Sequence, residues 1–161
     1  MMRRNHSIQK FGIFFITTSV IQHQELFKTP QDFELVEKNI EFYGARDNAE
    51  IYAYVIMPHH LHLIIEIPPN KSISDYMRDF KRQTSGEFFK SINQKTGQLW
   101  QERFDDLDLI NYTTFSTKIN YIHMNPVRAG LAKEPEDWPY SSARFYLNGE
   151  QRIIQVSHFK G

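Results

Sequence analysis

Apolar residues recur in two patterns along the chain, and these predict strands and helices in alternation. The β-branched and aromatic run that ends at Ser19 is typical of a strand, and two further apolar runs meet at Pro58. Longer segments have apolar residues at helical spacing. In chain order, the predicted elements are a strand over 11–19, a helix over 30–43 that stops at Gly44, strands over 50–57 and 60–67, a helix that begins at Ser72 or Ser74 and runs to about Ile92, an extended or irregular segment over 98–110, and a helix that begins at Thr113 or Thr114 and ends or kinks at Pro126.

The order of these elements predicts the fold class. Strand–helix–strand–strand–helix–strand is typical of an α+β domain of ferredoxin-like type, with an antiparallel sheet and helices packed on one face. The length of 161 residues is that of one ordinary domain. We therefore expect a single domain over 1–161, with a C-terminal tail over about 148–161.

The composition is that of a folded protein without cysteine chemistry. Apolar residues make up 40% of the chain and aromatic residues 14%, which excludes a disordered or low-complexity protein. There are no cysteines, so disulfides, thiolate zinc sites and cysteine nucleophiles are excluded. Any metal must therefore be held by imidazole, carboxylate or amide groups.

Charge is balanced over the whole chain but unevenly distributed along it. The 19 basic and 19 acidic residues give no overall attraction to nucleic acid or to a membrane. Residues 71–104 nevertheless carry seven basic and four acidic side chains, and Arg78, Lys81 and Arg82 lie within about one turn of the predicted second helix. This basic cluster is either a strip that follows DNA phosphates or an ordinary solvated helix face.

The N-terminal segment superficially resembles a signal peptide. Arg3 and Arg4 precede an apolar run over 11–16, but the run is short and no small-residue cleavage site follows it. No segment reaches the length that a membrane-spanning helix needs. We therefore expect a cytoplasmic protein that makes no membrane contact.

Two histidines on the third predicted strand form a candidate metal site. Residues two apart on a strand share a face, so His60 and His62 can converge on one cation. Imidazole pairs are common metal ligands, and the alternative is a pair of hydrogen-bonded histidines on a half-exposed strand. Glu66 shares the same face, where it either orients a ligand or is simply solvated.

The last predicted helix contains a candidate nucleophile. Tyr121 and Asn125 are four residues apart and therefore neighbours on one helix face. A tyrosine beside an amide oxygen suits a nucleophile next to a metal ligand. The alternative is a tyrosine packed at the edge of the apolar stripe that Phe115, Ile119 and Ile122 form.

Taken together, these segments resemble the single-tyrosine HUH transposases, and within them the REP-associated tyrosine transposase branch. The resemblance spans about residues 11–147. The matching motifs are FFIT at 14–17, the His60-x-His62 pair, GQLWQ at 97–101 with Arg103 and Phe104, YIHMNPVRAGL at 121–131, and WPYSS at 138–142. One position departs from the branch, in which asparagine usually precedes the first metal histidine and here the residue is His59.

The resemblance implies a nuclease that cuts and rejoins hairpin-bearing single-stranded DNA. By motif, His60 and His62 would hold Mg²⁺ or Mn²⁺, with Asn125 as a third ligand. Tyr121 would attack the phosphate and form a 5′-phosphotyrosine intermediate. The family includes both monomers and dimers, so the resemblance leaves a monomer and a homodimer open.

A different class of function uses the same layout. Sheet-plus-helix domains also bind single-stranded nucleic acid without cutting it, and a degenerate transposase would act as a DNA binder in the same way. A third option, a metal-dependent hydrolase that activates water, needs more carboxylates near the histidines than the sequence offers. A divalent ion at His60 and His62 distinguishes catalysis from binding alone.

Overall fold

The computed structural model describes residues 10–109 and 111–160, so Arg3, Arg4 and Ile110 lie outside the described residues. The strands are β1 (Gly12–Ser19), β2 (Glu50–Met57), β3 (His60–Ile67) and β4 (Asp105–Asp108), and the helices are α1 (Pro30–Arg46), α2 (Ile73–Ser91), α3 (Tyr112–Arg128) and α4 (Ala143–Asn148). Short 3₁₀ turns follow β1 and precede α4. Among the described residues, no helix is long and apolar enough to cross a membrane.

The four strands form one antiparallel sheet in the order β2-β3-β1-β4. The predicted α+β class with an antiparallel sheet is therefore confirmed. β2 and β3 have the predicted bounds, because Pro58 marks the turn between them. β4 lies within the segment predicted to be extended or irregular and pairs with the outer side of β1.

The helices cover both faces of the sheet. α1 and α2 pack on one face, as predicted, around buried side chains such as Phe14, Leu63 and Phe80. α3 packs on the opposite face, where Phe115 and Ile122 cover a second, smaller apolar cluster. The strands need this cover because their apolar residues do not alternate strictly with polar ones, so both faces carry hydrophobic side chains.

α1 runs past the position at which the sequence predicts its end. It begins at Pro30 with a capping box in which Thr29 and Asp32 satisfy each other's backbone amides. It continues through Gly44 to Arg46, so Gly44 as a stop is wrong. A Cβ at position 44 would lie 3.2 Å from the Cδ1 of Ile51, so the glycine allows a close approach of α1 to β2.

α3 continues through Pro126 to Arg128. Of the two predicted alternatives, an end of the helix at Pro126 is wrong, because Pro126 lies in the last turn and little helix follows it, whereas a kink there stays a prediction. The N-terminus is capped by Asn111, whose side chain accepts from the amide of Thr114. Tyr121 and Asn125 therefore lie on one continuous helix.

The C-terminal segment closes the free edge of β2. The amide of Ser157 donates to the carbonyl of Ile51 at 2.9 Å, and Ile154 is fully buried in the larger core. Arg152 reaches the buried carboxylate of Glu37 at 3.0 Å. An edge strand covered in this way is protected from pairing with another chain.

Candidate active site

The alternation of β3 places His60 and His62 on the sheet face that α3 partly covers. Their ring centroids are 4.8 Å apart and the rings are tilted by 76°. His62 is 5% exposed, whereas His60, at the start of β3, is partly buried. The two imidazoles therefore lie side by side on the face that α3 covers.

β1 supports His62 from the neighbouring strand. Thr17 is the direct partner of His62 in the antiparallel ladder, and its Oγ1 lies 2.9 Å from the Nδ1 of the imidazole. Phe15, on the same face of β1, stacks on the imidazole with ring centroids 5.3 Å apart. The position and the plane of the His62 ring are thus both fixed by β1.

His60 has partners on two elements. Its Nδ1 contacts the Nδ1 of His59, the residue that precedes β3. The side chain of Asn125, on α3, is close enough to His60 to raise the pKa of its imidazole. Asn125 is therefore next to the histidine pair, which is the place that the resemblance implies for a third metal ligand.

Burial keeps both imidazoles neutral. It lowers the pKa of His62 to about 3, with further lowering by His60 and by the cations Lys118 and Arg128. It lowers the pKa of His60 to about 4, an effect that His59 reinforces and that the nearby Asn125 side chain opposes. At neutral pH both rings thus have the neutral form that binds metal ions.

α3 brings Tyr121 next to the same histidine pair. The Tyr121 ring lies edge-on to His62, with centroids 5.4 Å apart, and its side chain is 40% exposed. Its ring also meets Phe15 at 6.1 Å. The tyrosine is therefore at the edge of the smaller core, as the sequence allowed, and at the same time beside the histidine pair.

Two cations flank Tyr121, and the sequence interpretation did not assign them a role. The guanidinium carbon of Arg128 lies 4.5 Å from the Tyr121 ring centroid, and its Nη2 donates to the Tyr121 carbonyl at 2.6 Å. The Nζ of Lys118 lies 5.4 Å from the same centroid. Within residues 10–109 and 111–160, neither cation forms an ion pair with a carboxylate. The sequence could have indicated these neighbours, because Lys118 lies three residues before Tyr121 and Arg128 seven after it, and residues at these spacings share a helix face.

The basic residues predicted to contact DNA lie elsewhere. Arg78, Lys81 and Arg82 are on α2, which packs on the other face of the sheet. Arg78 and Arg82 both bond to Asp79, at 3.0 and 3.3 Å. Lys81 donates to the carbonyl of Gln101 at 2.8 Å. The structure therefore does not bring this cluster to the histidine pair.

Glu66 is also separate from the histidine pair. It shares the face of His62, but it lies four residues farther along β3, about 13 Å away. Its carboxylate accepts a hydrogen bond from the hydroxyl of Tyr52. The sequence left two alternatives for Glu66, namely that it orients a metal ligand or that it is simply solvated. The structure shows neither, because the carboxylate bonds to Tyr52 and not to a candidate ligand.

The donor atoms at the histidine pair fit a divalent cation with an incomplete protein shell. Among the described residues there is no cluster of three histidine or acidic side chains that could hold a metal alone. Two neutral imidazoles and the amide of Asn125 are present instead. Mg²⁺ and Mn²⁺ prefer oxygen ligands, so the residues fit these ions only if the Asn125 amide oxygen, water and substrate phosphate oxygens supply most of the shell and the two imidazoles the rest.

Comparison with known proteins gives a consistent relationship. The family model described as "Transposase IS200 like" matches residues 14–125. The chain is 28% identical over 134 residues to the REP-associated tyrosine transposase of Escherichia coli K12, covering 83% of this chain and 77% of the relative. It is 35% identical over 108 residues to a Haemophilus influenzae Rd protein named for the same group, covering 58% of each chain.

Solved structures support the same relationship. A REP-associated tyrosine transposase bound to a REP hairpin superposes with a TM-score of 0.76 at 27% identity, covering 99% of this chain and 96% of the other. A transposase structure from Deinococcus radiodurans R1 superposes with a TM-score of 0.51 at 20% identity, covering 76% and 95%. The second similarity concerns the fold alone.

Proposed function

The chain belongs to the IS200-like transposase family, and on that premise we propose that it cuts and rejoins hairpin-bearing single-stranded DNA with Tyr121 as the nucleophile. The observation that carries the proposal is the position of Tyr121. Its ring lies 5.4 Å from the His62 ring, on the exposed side of α3 and beside two candidate metal ligands. A tyrosine that served only to fill the core would not need this setting.

The proposed step conserves the energy of the phosphodiester bond. The Tyr121 Oη forms a bond to phosphorus while the bond from phosphorus to the 3′ oxygen breaks. The phenol gives up its proton, and the departing 3′ oxygen takes one up. The products are a 5′-phosphotyrosine link and a free 3′-OH. A second 3′-OH can reverse the step and reseal the strand without ATP.

His60, His62 and Asn125 are the residues that would hold a divalent ion for this step. When bound there, an Mg²⁺ or Mn²⁺ ion would offset the negative charge that develops on the oxygens of the scissile phosphate. The contribution of the chain is to keep both imidazoles neutral by burial and to hold Tyr121 next to them.

We place the phosphate contacts nearest the cut on Lys118 and Arg128. Both cations lie beside Tyr121 and neither has a carboxylate partner among the residues the structure describes. Uncompensated cations attract phosphates more strongly than paired ones. A DNA track over Arg78, Lys81 and Arg82 stays a prediction, and it would have to compete with Asp79.

A DNA hairpin is the proposed partner because the similar solved structure is of a transposase bound to a REP hairpin. One chain supplies Tyr121, both histidines and Asn125 to the proposed site. A monomer is therefore sufficient for the proposed site, and a homodimer is not required. The cytoplasmic location expected from the sequence stays a prediction.

The test is to trap the covalent intermediate. The full chain is incubated with Mn²⁺ and end-labelled single-stranded DNA that carries a hairpin, and adducts are separated on a denaturing gel. We expect an adduct with the wild type and none with Y121F. Y112F is the matched control, because Tyr112 is an exposed tyrosine on the same helix. H60A should lose adduct formation and recover part of it at high Mn²⁺.

The binding-module alternative gives a different result in the same experiment. A non-catalytic protein would shift the hairpin in a native gel and give no adduct with any of a varied set of hairpins. That outcome contradicts the proposed function. An adduct that persists in Y121F contradicts the assignment of Tyr121.

A further inference from the structure

We infer that Thr17 and His59 are positioning residues that hold both imidazoles of the metal pair with Nε2 free for the ion. This inference rests on the proposed function. Each imidazole of the pair has a neighbour at its Nδ1, namely the hydroxyl of Thr17 for His62 and the ring of His59 for His60. The two neighbours belong to different segments of the chain, yet they act on the same ring atom.

Whether Thr17 accepts or donates in its contact with His62 sets which nitrogen of His62 can bind an ion, and in the proposed arrangement Thr17 is the acceptor. A neutral imidazole has one N–H and one lone pair, and only the nitrogen with the lone pair binds a metal. Thr17 Oγ1 lies 2.9 Å from Nδ1 and can accept the proton there, which leaves the lone pair on Nε2. The stack of Phe15 on the ring, at 5.3 Å and 18°, fixes the plane in which Nε2 points.

In the proposed arrangement, His59 has the corresponding acceptor role toward His60. The two Nδ1 atoms face each other, so they share one proton and only one of them donates it. With His60 as the donor, His59 accepts through its Nδ1 and has its own proton on Nε2. His60 then presents Nε2 as a ligand. Supporting hydrogen bonds of this kind orient metal-binding histidines and raise their basicity.

Position 59 explains which substitutions should be tolerated. An asparagine can offer Oδ1 near the place of the His59 Nδ1 and accept the same hydrogen bond, whereas leucine cannot. The His23 ring lies edge-on to the His59 ring, with centroids 6.2 Å apart. Among the described residues, His23 forms no hydrogen bond with His60. His23 is therefore a suitable control for a histidine next to the pair that does not bond to it.

The first experiment measures Mn²⁺ affinity of the full chain by titration calorimetry without DNA. T17V should lower the affinity by about 10- to 100-fold, and T17S should restore it because the hydroxyl is present again. T18V is the matched control: Thr18 is next in β1 but points to the opposite face, where its buried hydroxyl has no partner among the described residues. Equal affinity of T17V and the wild type would overturn the role of Thr17.

The same titration tests His59. H59L should lower Mn²⁺ affinity by about 10- to 100-fold, and H59N should bind nearly as well as the wild type. H23N should leave the affinity unchanged. Wild-type affinity in H59L would overturn the role of His59.

A spectroscopic measurement keeps the inference testable if a variant changes the fold. Histidine-selective ¹⁵N NMR of the metal-free protein reports which ring nitrogen carries the proton. We expect protonated Nδ1 at His60 and His62 in the wild type, and a shift of His62 toward protonated Nε2 in T17V but not in T17S. Protonated Nε2 at both rings of the wild type would overturn the inference.

Failure of the inference and failure of the proposed metal site give different results. If H62A abolishes Mn²⁺ binding while T17V and H59L bind like the wild type, only the positioning role is overturned. If the wild type itself binds no Mn²⁺, with or without hairpin DNA, the metal site and the inference fall together.

Discussion

The buried polar groups on the two faces of the sheet differ in whether they have charged partners within the protein. On the face of α1 and α2, buried charges have partners: Glu37 accepts from Arg152 at 3.0 Å, and Asp79 accepts from Arg46 at 2.6 Å. On the face of α3, the imidazoles of His62 and His123 are buried and that of His60 is partly buried, and burial keeps all three neutral. The nearby cations Lys118 and Arg128 have no carboxylate partner within the described part of the chain.

This difference distinguishes a face whose polar groups stabilise the fold from a face whose polar groups can bind a ligand. Paired charges satisfy one another, so the α1 and α2 face has little left to offer a ligand. The α3 face presents lone pairs, a phenol and positive charge that the protein itself does not neutralise. Groups that a fold leaves uncompensated are candidates for substrate contacts. The candidate site is thus identified both by its residue types and by the absence, within the described residues, of charged protein partners for its polar side chains.

The largest contrast is expected between two tyrosines. Y121F, on the α3 face, should abolish the covalent DNA adduct and leave stability nearly unchanged. Y76F, on the other face, removes a buried hydroxyl that donates to the Ile40 carbonyl at 3.0 Å. It should cost about 1 kcal/mol of unfolding free energy and leave adduct formation intact. Adduct gels and urea denaturation of both variants check the pair, and a loss of adduct in Y76F would break the comparison.

The second contrast concerns acid. Burial lowers the pKa of His123 on α3 to about 4, and its Nε2 lies 2.8 Å from the Ser142 hydroxyl. Between about pH 6.5 and 4 the unfolded chain binds a proton on this histidine that the folded protein does not, so stability falls as the pH falls. The expected loss is about 1.4 kcal/mol per pH unit for each such histidine, and His60 and His62 add to it.

H123Q isolates one of these protons. Its unfolding free energy, measured with urea in metal-free buffer, should fall less steeply than that of the wild type between about pH 6.5 and 4.5, by about 1.4 kcal/mol per pH unit. Above about pH 7.5 the two curves should run parallel, because the histidine is then neutral in both states. Equal slopes in the acid range would mean that His123 takes up its proton in the folded protein.

The third contrast compares the cations of the two faces. Replacing Lys118 and Arg128 by methionine should weaken hairpin binding and reduce the slope of log affinity against log salt by about 0.7 for each lost phosphate contact. Replacing Arg78, Lys81 and Arg82 by alanine should reduce the slope less, because Asp79 already compensates two of them. Fluorescence anisotropy over a salt series measures both. A larger change in the α2 variant would place the DNA track on α2.

The sequence predicted what depends on local spacing. The bounds of β2 and β3 follow from apolar runs that meet at Pro58, and the shared face of His60 and His62 follows from strand alternation. Tyr121 and Asn125 are four residues apart in the sequence, and helix geometry makes residues at this spacing neighbours on one face of α3. Their roles in binding and catalysis remain proposals.

What depends on tertiary contacts could not be predicted. β4 is largely acidic and has no apolar alternation, so only its pairing with β1 makes it a strand. No local pattern indicates that α3 covers the second face, or that Asp79 neutralises Arg78 and Arg82. The support of His62 by Thr17 needs the register of β1 on β3, which the sequence of either strand does not contain.

The smallest expected effect compares neighbouring threonines on the two faces of β1. The Thr18 hydroxyl is buried on the α1 and α2 face and has no hydrogen-bond partner among the described residues. T18V replaces it with a methyl group of similar shape and removes the cost of an unpaired buried hydroxyl, so we expect a gain of about 1 kcal/mol in unfolding free energy. T17V removes a hydroxyl that has a partner on His62 and should give no such gain. Urea denaturation of the two variants at one pH measures the difference. Within the described residues, the pairing in β1 is therefore the reverse of that for the charged groups, with the unpaired hydroxyl on the α1 and α2 face. If T18V destabilises the protein as much as T17V does, the Thr18 hydroxyl is as well paired as that of Thr17, and this exception does not exist.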